Sequence, residues 1–491
     1  MTTLMEQARL EPAGTTPRRF DASFVFGAAT AAFQIEGAHH VDGRTDSIWD
    51  AFCRVPGAVI NGDDGSVACD HYHRYGDDVA LMGKLGLQSY RFSTSWARVR
   101  PDDELDNPAG LDFYSRLVDE LLEQGIMPWL TLYHWDLPQA LEARGGWRNR
   151  DTAYRFRDYA MAVHDRLGDR VPVWTTLNEP WCAAFLGHIG GAHAPGLQDP
   201  AAGLAAMHHL LLGHGLTVEA LRSANPDLKL GITLNMTVAR PADPERAGDV
   251  DAARRIDGQM NRIFLDPLFR ASYPEDVLAD VAGLGLEALI EPGDLATISV
   301  PLDVLGVNYY HGDLVSDQPP EHPVDGEAPT DRVTRSPFPA ADGVHTHSQQ
   351  LPTTDMGWEI QPDGLREVLA RVHTDYTGPA GVDLYVTENG AAFADQVAAD
   401  GSVADVDRAE FLLAHLNAVL DAIDEGVPVH GYFYWSLLDN FEWAWGYAKR
   451  FGLVRVDYDS QRRTPKKSAE AYARVIRERQ LDVTPVNGPG A

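Results

Sequence analysis

Short apolar and aromatic runs recur along the chain, each followed by a longer stretch whose apolar positions repeat every three or four residues. The short runs are Phe24–Ala28, Ser89–Ser93, Met127–Leu132, Trp174–Leu177, Leu230–Leu234, Val304–Val307, Leu384–Thr387 and His430–Trp435. They are rich in β-branched and aromatic residues, and their length suits parallel strands buried on both faces. Among the intervening stretches, DDVALMGKLG, FYSRLVDELLEQG, YRFRDYAMAVHDRLGD and FLLAHLNAVLDAIDEG read as amphipathic helices. Several end in glycine, which tolerates the left-handed conformation after a last helical turn. Eight strand–helix repeats predict an α/β fold, a single (β/α)8 TIM barrel with elaborated βα loops. No GxGxxG follows the first run, which argues further against an open dinucleotide-binding sheet.

Two stretches break the rhythm. Residues His311–Gln350 contain Pro319, Pro320, Pro323, Pro329, Pro337 and Pro339 with no apolar periodicity, and read as a long loop after the sixth strand. The Pro/Gly-rich tail from Thr484 reads as frayed. The expected organisation is one barrel over residues 19–480, with flexible ends at 1–18 and 481–491.

Composition narrows the partners. Of 491 residues, 44% are hydrophobic and 23% charged, ordinary globular values. The net charge of −31 repels phosphate backbones and anionic lipid, so neither nucleic acid nor a membrane surface is expected as a partner. A small neutral molecule fits better. The three scattered cysteines, Cys53, Cys69 and Cys182, form no disulfide framework or CxxC pair and suggest free thiols in a reducing compartment. The N-terminus lacks the apolar core of a secretory signal, and no uncharged apolar run is long enough to span a bilayer. A soluble, cytoplasmic protein is therefore expected, and the sequence is silent on its oligomeric state.

In a barrel the chemistry gathers where the strands end. The polar residues there are Gln34 soon after the first strand, Arg91 on the second, and His134 and Trp135 after the third. Asn178 and Glu179 follow the fourth, Asn308 and Tyr310 the sixth, Glu388 the seventh, and Trp435, Glu442 and Trp443 the eighth. Glu179 and Glu388 lie three strands apart and can face one another across the mouth. Two opposed carboxyls suit glycosidic cleavage, which needs a proton for the departing oxygen and negative charge for an oxocarbenium-like centre.

WTTLNEP and LYVTENG resemble the two catalytic signatures of glycoside hydrolase family 1, the β-glucosidase family. FVFGAATAAFQIEGA, YHWDLPQALEARGGW, VLGVNYYHGDLV, MGWEI and YFYWSLLDNFEWAWGYAKRFGLVRVDY resemble its other motifs, in order, over nearly the whole chain. The resemblance implies a retaining exo-β-glucosidase with Glu179 as acid/base and Glu388 as nucleophile. Arg91 and Tyr310 would flank Glu388, and Asn178 would bond the sugar 2-hydroxyl. Gln34, His134, Asn308, Glu442 and Trp443 would bind the other hydroxyls, Trp435 would form the platform under the ring, and Trp135 and Phe451 would complete the wall. Trp358 would face the leaving group, with Asn235, His193 and Cys182 as further lining. Expected substrates are unphosphorylated β-glucosides and short oligosaccharides such as cellobiose, with β-galactosides and β-fucosides as side substrates. Glu442 would repel a sugar phosphate. No cofactor and no metal are expected.

Other polar clusters read as scaffold. His71-Tyr-His73 has the HxH pattern of a metal pair but leads into a helix rather than following a strand. Glu36 in QIEGA and Glu359 read as structural ion-pair members. Arg462, Arg463, Lys466 and Lys467 read as a solvated basic patch.

Overall fold

The computed structural model describes residues 18–321 and 329–481. Eight parallel strands close into a barrel: β1 (Val25–Ala29), β2 (Ser89–Ser93), β3 (Met127–Tyr133), β4 (Val173–Asn178), β5 (Lys229–Asn235), β6 (Val304–Asn308), β7 (Asp383–Asn389) and β8 (Val429–Trp435). They follow chain order around the ring, and β8 closes on β1 through the Trp435–Ala29 register. All eight expected strands exist. Most run one or two residues beyond the apolar core read from the sequence, because their ends carry the polar groups of the mouth. The principal outer helices are α1 (His71–Leu85), α2 (Pro108–Glu123), α3 (Asp151–Leu167), α4 (Pro200–Ala224), α5 (Ala247–Asp257), α6 (Pro362–Val372), α7 (Val406–Asp424) and α8 (Lys467–Glu478). Among the described residues no helix is long and apolar enough to cross a membrane.

Helix starts were harder to place. α2 begins at Pro108, where a fixed φ and a missing N–H cost nothing at the first helical position, five residues before the apolar repeat becomes visible. α7 turns Phe411, Leu412, Leu416, Val419 and Leu420 inward. Each such side chain stabilises the fold by about 1.5–3 kcal/mol, so one charge at Leu416 would strip the helix from the barrel. Inside the ring, Trp129 meets Tyr385 and Phe433 edge-on at centroid distances of 5.0 Å each, closing the barrel beneath its mouth.

The residues at the two ends meet. Arg18–Arg19 pairs antiparallel with Gln480–Leu481, and Arg18 bridges to Asp421 and Asp424. Arg18 and Leu481, read from sequence as parts of flexible ends, are thus paired; residues 1–17 and 482–491 lie outside the described residues. The loop after β6 is partly ordered as sheet. Asp313–Ser316 pairs with His345–His347 on one side and with Ala239–Pro241 on the other. The same loop docks on the segment after β4: Arg332 donates to the Gly191 and Gly196 carbonyls, and the Arg335 amide to Gly190.

The basic run at 462–467 is not a solvated patch. Lys466 is buried and contacts Asp395 at 2.5 Å and Asp439 at 2.7 Å. Arg463 bridges to Asp78, and Lys467, with its partner Glu470, is exposed as expected. Sequence proximity grouped four cations that the fold sends to different places. Arg408 and Arg450 complete the cluster around Lys466, pairing with Asp395, Asp405 and Asp439. Glu36 forms a buried ion pair with Arg98 at 2.9 Å and accepts from Tyr114 at 2.6 Å. His71, inside the first turn of α1, pairs with Asp78, while His73 turns outward to Asp70.

Candidate active site

Every strand-end residue singled out above lies at the C-terminal mouth. Arg91 is on β2, Asn178 ends β4, Asn308 ends β6, Glu388 is the penultimate residue of β7, and Trp435 ends β8. His134 and Glu179 directly follow β3 and β4. The close approach of β7 and β8 explains one glycine: a Cβ on Gly390 would fall 1.7 Å from the Trp435 carbonyl oxygen. Trp135, Glu179 and Trp443 have φ of 76°, 47° and 50°, left-handed values that cost non-glycine residues about 1–3 kcal/mol each.

Arg91 sets the polarity of the hydrogen bonds. Its Nη1 donates to Glu388 Oε1 and its Nη2 to Asn178 Oδ1, both at 2.6 Å. A guanidinium has no acceptor, so the Asn178 atom it meets is the amide oxygen. The Asn308 atom 3.1 Å from that oxygen is therefore its nitrogen, which also donates to Glu179 Oε1 at 2.6 Å. Thr387 donates to the Asn308 oxygen at 2.8 Å. On the other side Asn178 Nδ2 donates to His134 Nε2 at 3.1 Å. Burial, then the charge of Arg91, hold the His134 pKa well below its ordinary value. The neutral ring carries its proton on Nδ1, which has no protein partner among the described residues.

The two carboxyls differ in company. Burial raises the pKa of both. Glu388 is countered by the Arg91 ion pair and by the Tyr310 hydroxyl, which donates to Oε2 at 2.8 Å. Glu179 receives only neutral donors, the Asn308 amide and the Cys182 thiol, and the nearby Glu388 charge raises it further. Such a pair can hold one proton on Glu179 and one negative charge on Glu388. Tyr310, half-buried beside that anion, stays a phenol.

Around the carboxyls stand aromatic walls and polar tips. Trp435 and Trp443 stack near-parallel on the His134 ring at 5.6 and 6.0 Å. Trp135 packs on Trp443 at 4.6 Å and donates to the Asn178 carbonyl. Gln34 uses its nitrogen on Asn440 and on the Phe441 carbonyl, so Gln34 Oε1, like Glu442 Oε2, has no protein partner among the described residues. Burial and the other two carboxyls push Glu442 up to about 8. Trp358, half-buried, stands apart with Tyr310 at 5.3 Å, His311 at 5.3 Å and Phe451 at 6.1 Å.

Some placements differ from expectation. Asn308, expected on the sugar, uses its nitrogen on Asn178 and Glu179 and its oxygen on Thr387, so it links the carboxyls instead. His193, expected on the leaving-group side, packs among Trp49, Trp135 and Trp443. Among the described residues the Asn235 amide meets only Met260 Sδ, at 3.9 Å. Trp49 was missed: it is fully buried, 4.5 Å from Trp443, and its indole N–H has no protein partner among the described residues. It lies on a short helix before the second repeat, so no strand-end rule could find it. Asn440, which fixes Gln34, was missed as well, although DNFEW places it two residues before Glu442.

Comparison with known proteins agrees with this geometry. The model of glycosyl hydrolase family 1 matches residues 16–481. A thermostable β-glucosidase B of Thermobispora bispora is 52% identical, covering 94% of this chain and 91% of its own. A bifunctional β-D-glucosidase/β-D-fucosidase of Bifidobacterium breve is 49% identical over 93% of this chain and 98% of its own. The crystal structure of the psychrophilic β-glucosidase of Micrococcus antarcticus is similar at a TM-score of 0.92 and 56% identity, covering 94% of this chain and 98% of that one. A barrel of this order, carrying these two carboxyls at the ends of its fourth and seventh strands, belongs to glycosyl hydrolase family 1.

Proposed function

We propose that the chain is a retaining exo-β-glucosidase that removes terminal β-D-glucosyl residues by double displacement and can pass them to other alcohols. The observation that carries this reading is the unequal pair: Glu388 held by a cation and a phenol, Glu179 by neutral donors only. Glu388 attacks the anomeric carbon. Glu179 gives its proton to the departing oxygen, then takes one from the incoming water. Arg91 and Tyr310 keep the nucleophile charged and aimed, and Asn178, pinned by Arg91, presents its amide to the sugar 2-hydroxyl. A retaining pair has its carboxyls about 5–5.5 Å apart.

Sugar recognition follows from the unpaired tips. Gln34 Oε1 accepts, His134 Nδ1–H donates, and Glu442 does either according to its proton, which suits a neutral polyol. Trp435 supports the apolar face of the ring, Trp443, Trp135 and Phe451 wall the pocket, and Trp358 faces the leaving group. The β-fucosidase activity named for the Bifidobacterium breve relative supports β-fucosides as side substrates, and β-galactosides are proposed beside them. Glu442 disfavours 6-phosphorylated sugars because it offers no cation to a phosphate and has no cation partner of its own among the described residues. Cellobiose and other short β-glucosides are the proposed natural class. The three buried, unpaired thiols fit action in the cytoplasm.

The test is a panel of nitrophenyl glycosides plus cellobiose, with the product anomer followed by NMR. β-Glucose as first product from β-glucosides is expected; α-glucose, or turnover of the 6-phosphate alone, overturns the reading.

A further inference from the structure

The two oxygens of Glu179 have different neighbours. Oε1 accepts the Asn308 amide at 2.6 Å, and that amide cannot turn over, because its nitrogen also meets an oxygen of Asn178 fixed by Arg91. A permanent donor at Oε1 leaves no acceptor there for a carboxyl proton. Oε2 faces Cys182 Sγ at 3.1 Å. Cys182 lies three residues beyond Glu179, with 6% of its surface exposed. Burial, followed by the charge of Glu179, keeps the thiol protonated, so it is a neutral, rotatable donor.

We propose that Cys182 is a positioning residue for the proton that Glu179 transfers: the proton resides on Oε2, and the thiol S–H turns onto Oε2 whenever Glu179 is ionised. The proposal rests on Glu179 being the acid/base. In the first half-reaction the Oε2–H bond breaks and the proton passes to the glycosidic oxygen. A Glu388 oxygen bonds the anomeric carbon as the bond from that carbon to the glycosidic oxygen breaks, its electron pair leaving with the alcohol, and the O–H electron pair stays on Oε2, where the S–H then docks. In the second half, water returns a proton to Oε2 and its hydroxyl bonds the anomeric carbon. The bond to Glu388 breaks with its electron pair, and the S–H turns away.

A donor that binds only the ionised form lowers the proton affinity of Glu179. The other charged or titratable groups facing Glu179 are Glu388 from β7, Arg91 from β2, Tyr310 after β6 and Glu442 after β8. None of them contacts Oε2 by a hydrogen bond.

Two measurements test this on the full-length enzyme. The first is kcat/KM against pH with an alkyl β-glucoside, whose leaving group needs protonation. Cys182→Ala should move the basic limb upward by about 0.5–1 pH unit, the equivalent of one neutral hydrogen bond, and Cys182→Ser should return it to the wild-type position or below. A limb that stays put in Cys182→Ala, or moves equally in both variants, overturns the proposal. The second covers the case of a variant that does not fold. The infrared S–H band of wild-type protein, a region clear of other protein absorption, should shift as pH passes through the basic limb, and should not shift in Glu179→Gln. A band indifferent to pH in wild type overturns the proposal. Failure of the underlying reading looks different: Glu179→Gln would then leave the basic limb in place whatever the thiol does.

Discussion

Among the described residues, two buried charged clusters are composed in opposite ways. Behind the mouth, Asp395, Asp405 and Asp439 face Arg408, Arg450 and Lys466, three acids against three bases, joined by contacts of 2.5–2.7 Å. At the mouth the Arg91 guanidinium pairs with Glu388 and its charge reaches Glu179, while Glu442 has no ion-pair partner among the described residues. Balance behind the mouth holds Asp439 below its ordinary carboxylate value through Lys466 and Arg450, against its burial. At the mouth burial raises all three glutamates, and neighbouring carboxylates raise Glu179 and Glu442 further. Burial is common to both clusters, so the supply of cations decides whether carboxyls brace a fold or keep a proton for chemistry.

That contrast can be broken by substitution. The largest effect is expected from Glu388→Ala, a loss of turnover on the order of 10⁴-fold or more. A small external anion should restore activity with inverted product, read by anomer-resolved NMR. Glu179→Ala should lose about 10²–10⁴-fold on alkyl glucosides and far less on an activated dinitrophenyl glucoside. Equal losses on both would deny it the role of acid. Lys466→Met leaves Asp395 and Asp439 short of a buried cation and should destabilise the protein by about 3–5 kcal/mol in chemical denaturation. The kcat of the folded fraction should be close to wild type. A stable Lys466→Met protein would show that balance does not matter there.

The smallest effect concerns the mouth alone. Glu388→Gln removes the anion that raises Glu179, so the carboxyl of Glu179 should titrate at lower pH, followed by difference infrared spectroscopy. The sign is fixed: Glu179 must be protonated to act, so wild-type kcat/KM falls as pH rises through its pKa. An unshifted Glu179 in the variant would mean that burial alone sets it.

The barrel and its ring of strand-end side chains were legible because strands buried on both faces form unbroken apolar runs, and polar residues stand out where those runs stop. Arg91, Asn178, Tyr310 and Glu388 were found this way and are joined by hydrogen bonds, and Glu179, found the same way, is linked to Asn178 through Asn308. What the pattern concealed depends on three dimensions. Trp49 comes from a helix outside the repeat, Asn308 is turned by partners on two other strands, β4 with the residue after it and β7, and Lys466 is neutralised by acids 27 and 71 positions away (466 − 439 and 466 − 395). The left-handed backbone at Trp135, Glu179 and Trp443 had no signal either, since none is a glycine.

The loop after β6 is fastened to its neighbours partly through main-chain carbonyls and partly through side chains such as Gln198, which donates to the Val333 carbonyl, and Gln259, which accepts from the Ala340 amide. Arg332 grips Gly191 and Gly196, Thr330 grips Gly57, and the Arg335 amide meets Gly190. Carbonyl oxygens look alike whatever side chain they carry, so those bonds constrain sequence little, while Gln198, Gln259, Phe52 and the positive-φ Gly196 constrain it more. A segment of different composition could be exchanged there together with these partners, without touching the carboxyls. Diversification among such enzymes would then proceed by trading this strap, leaving the reacting pair untouched.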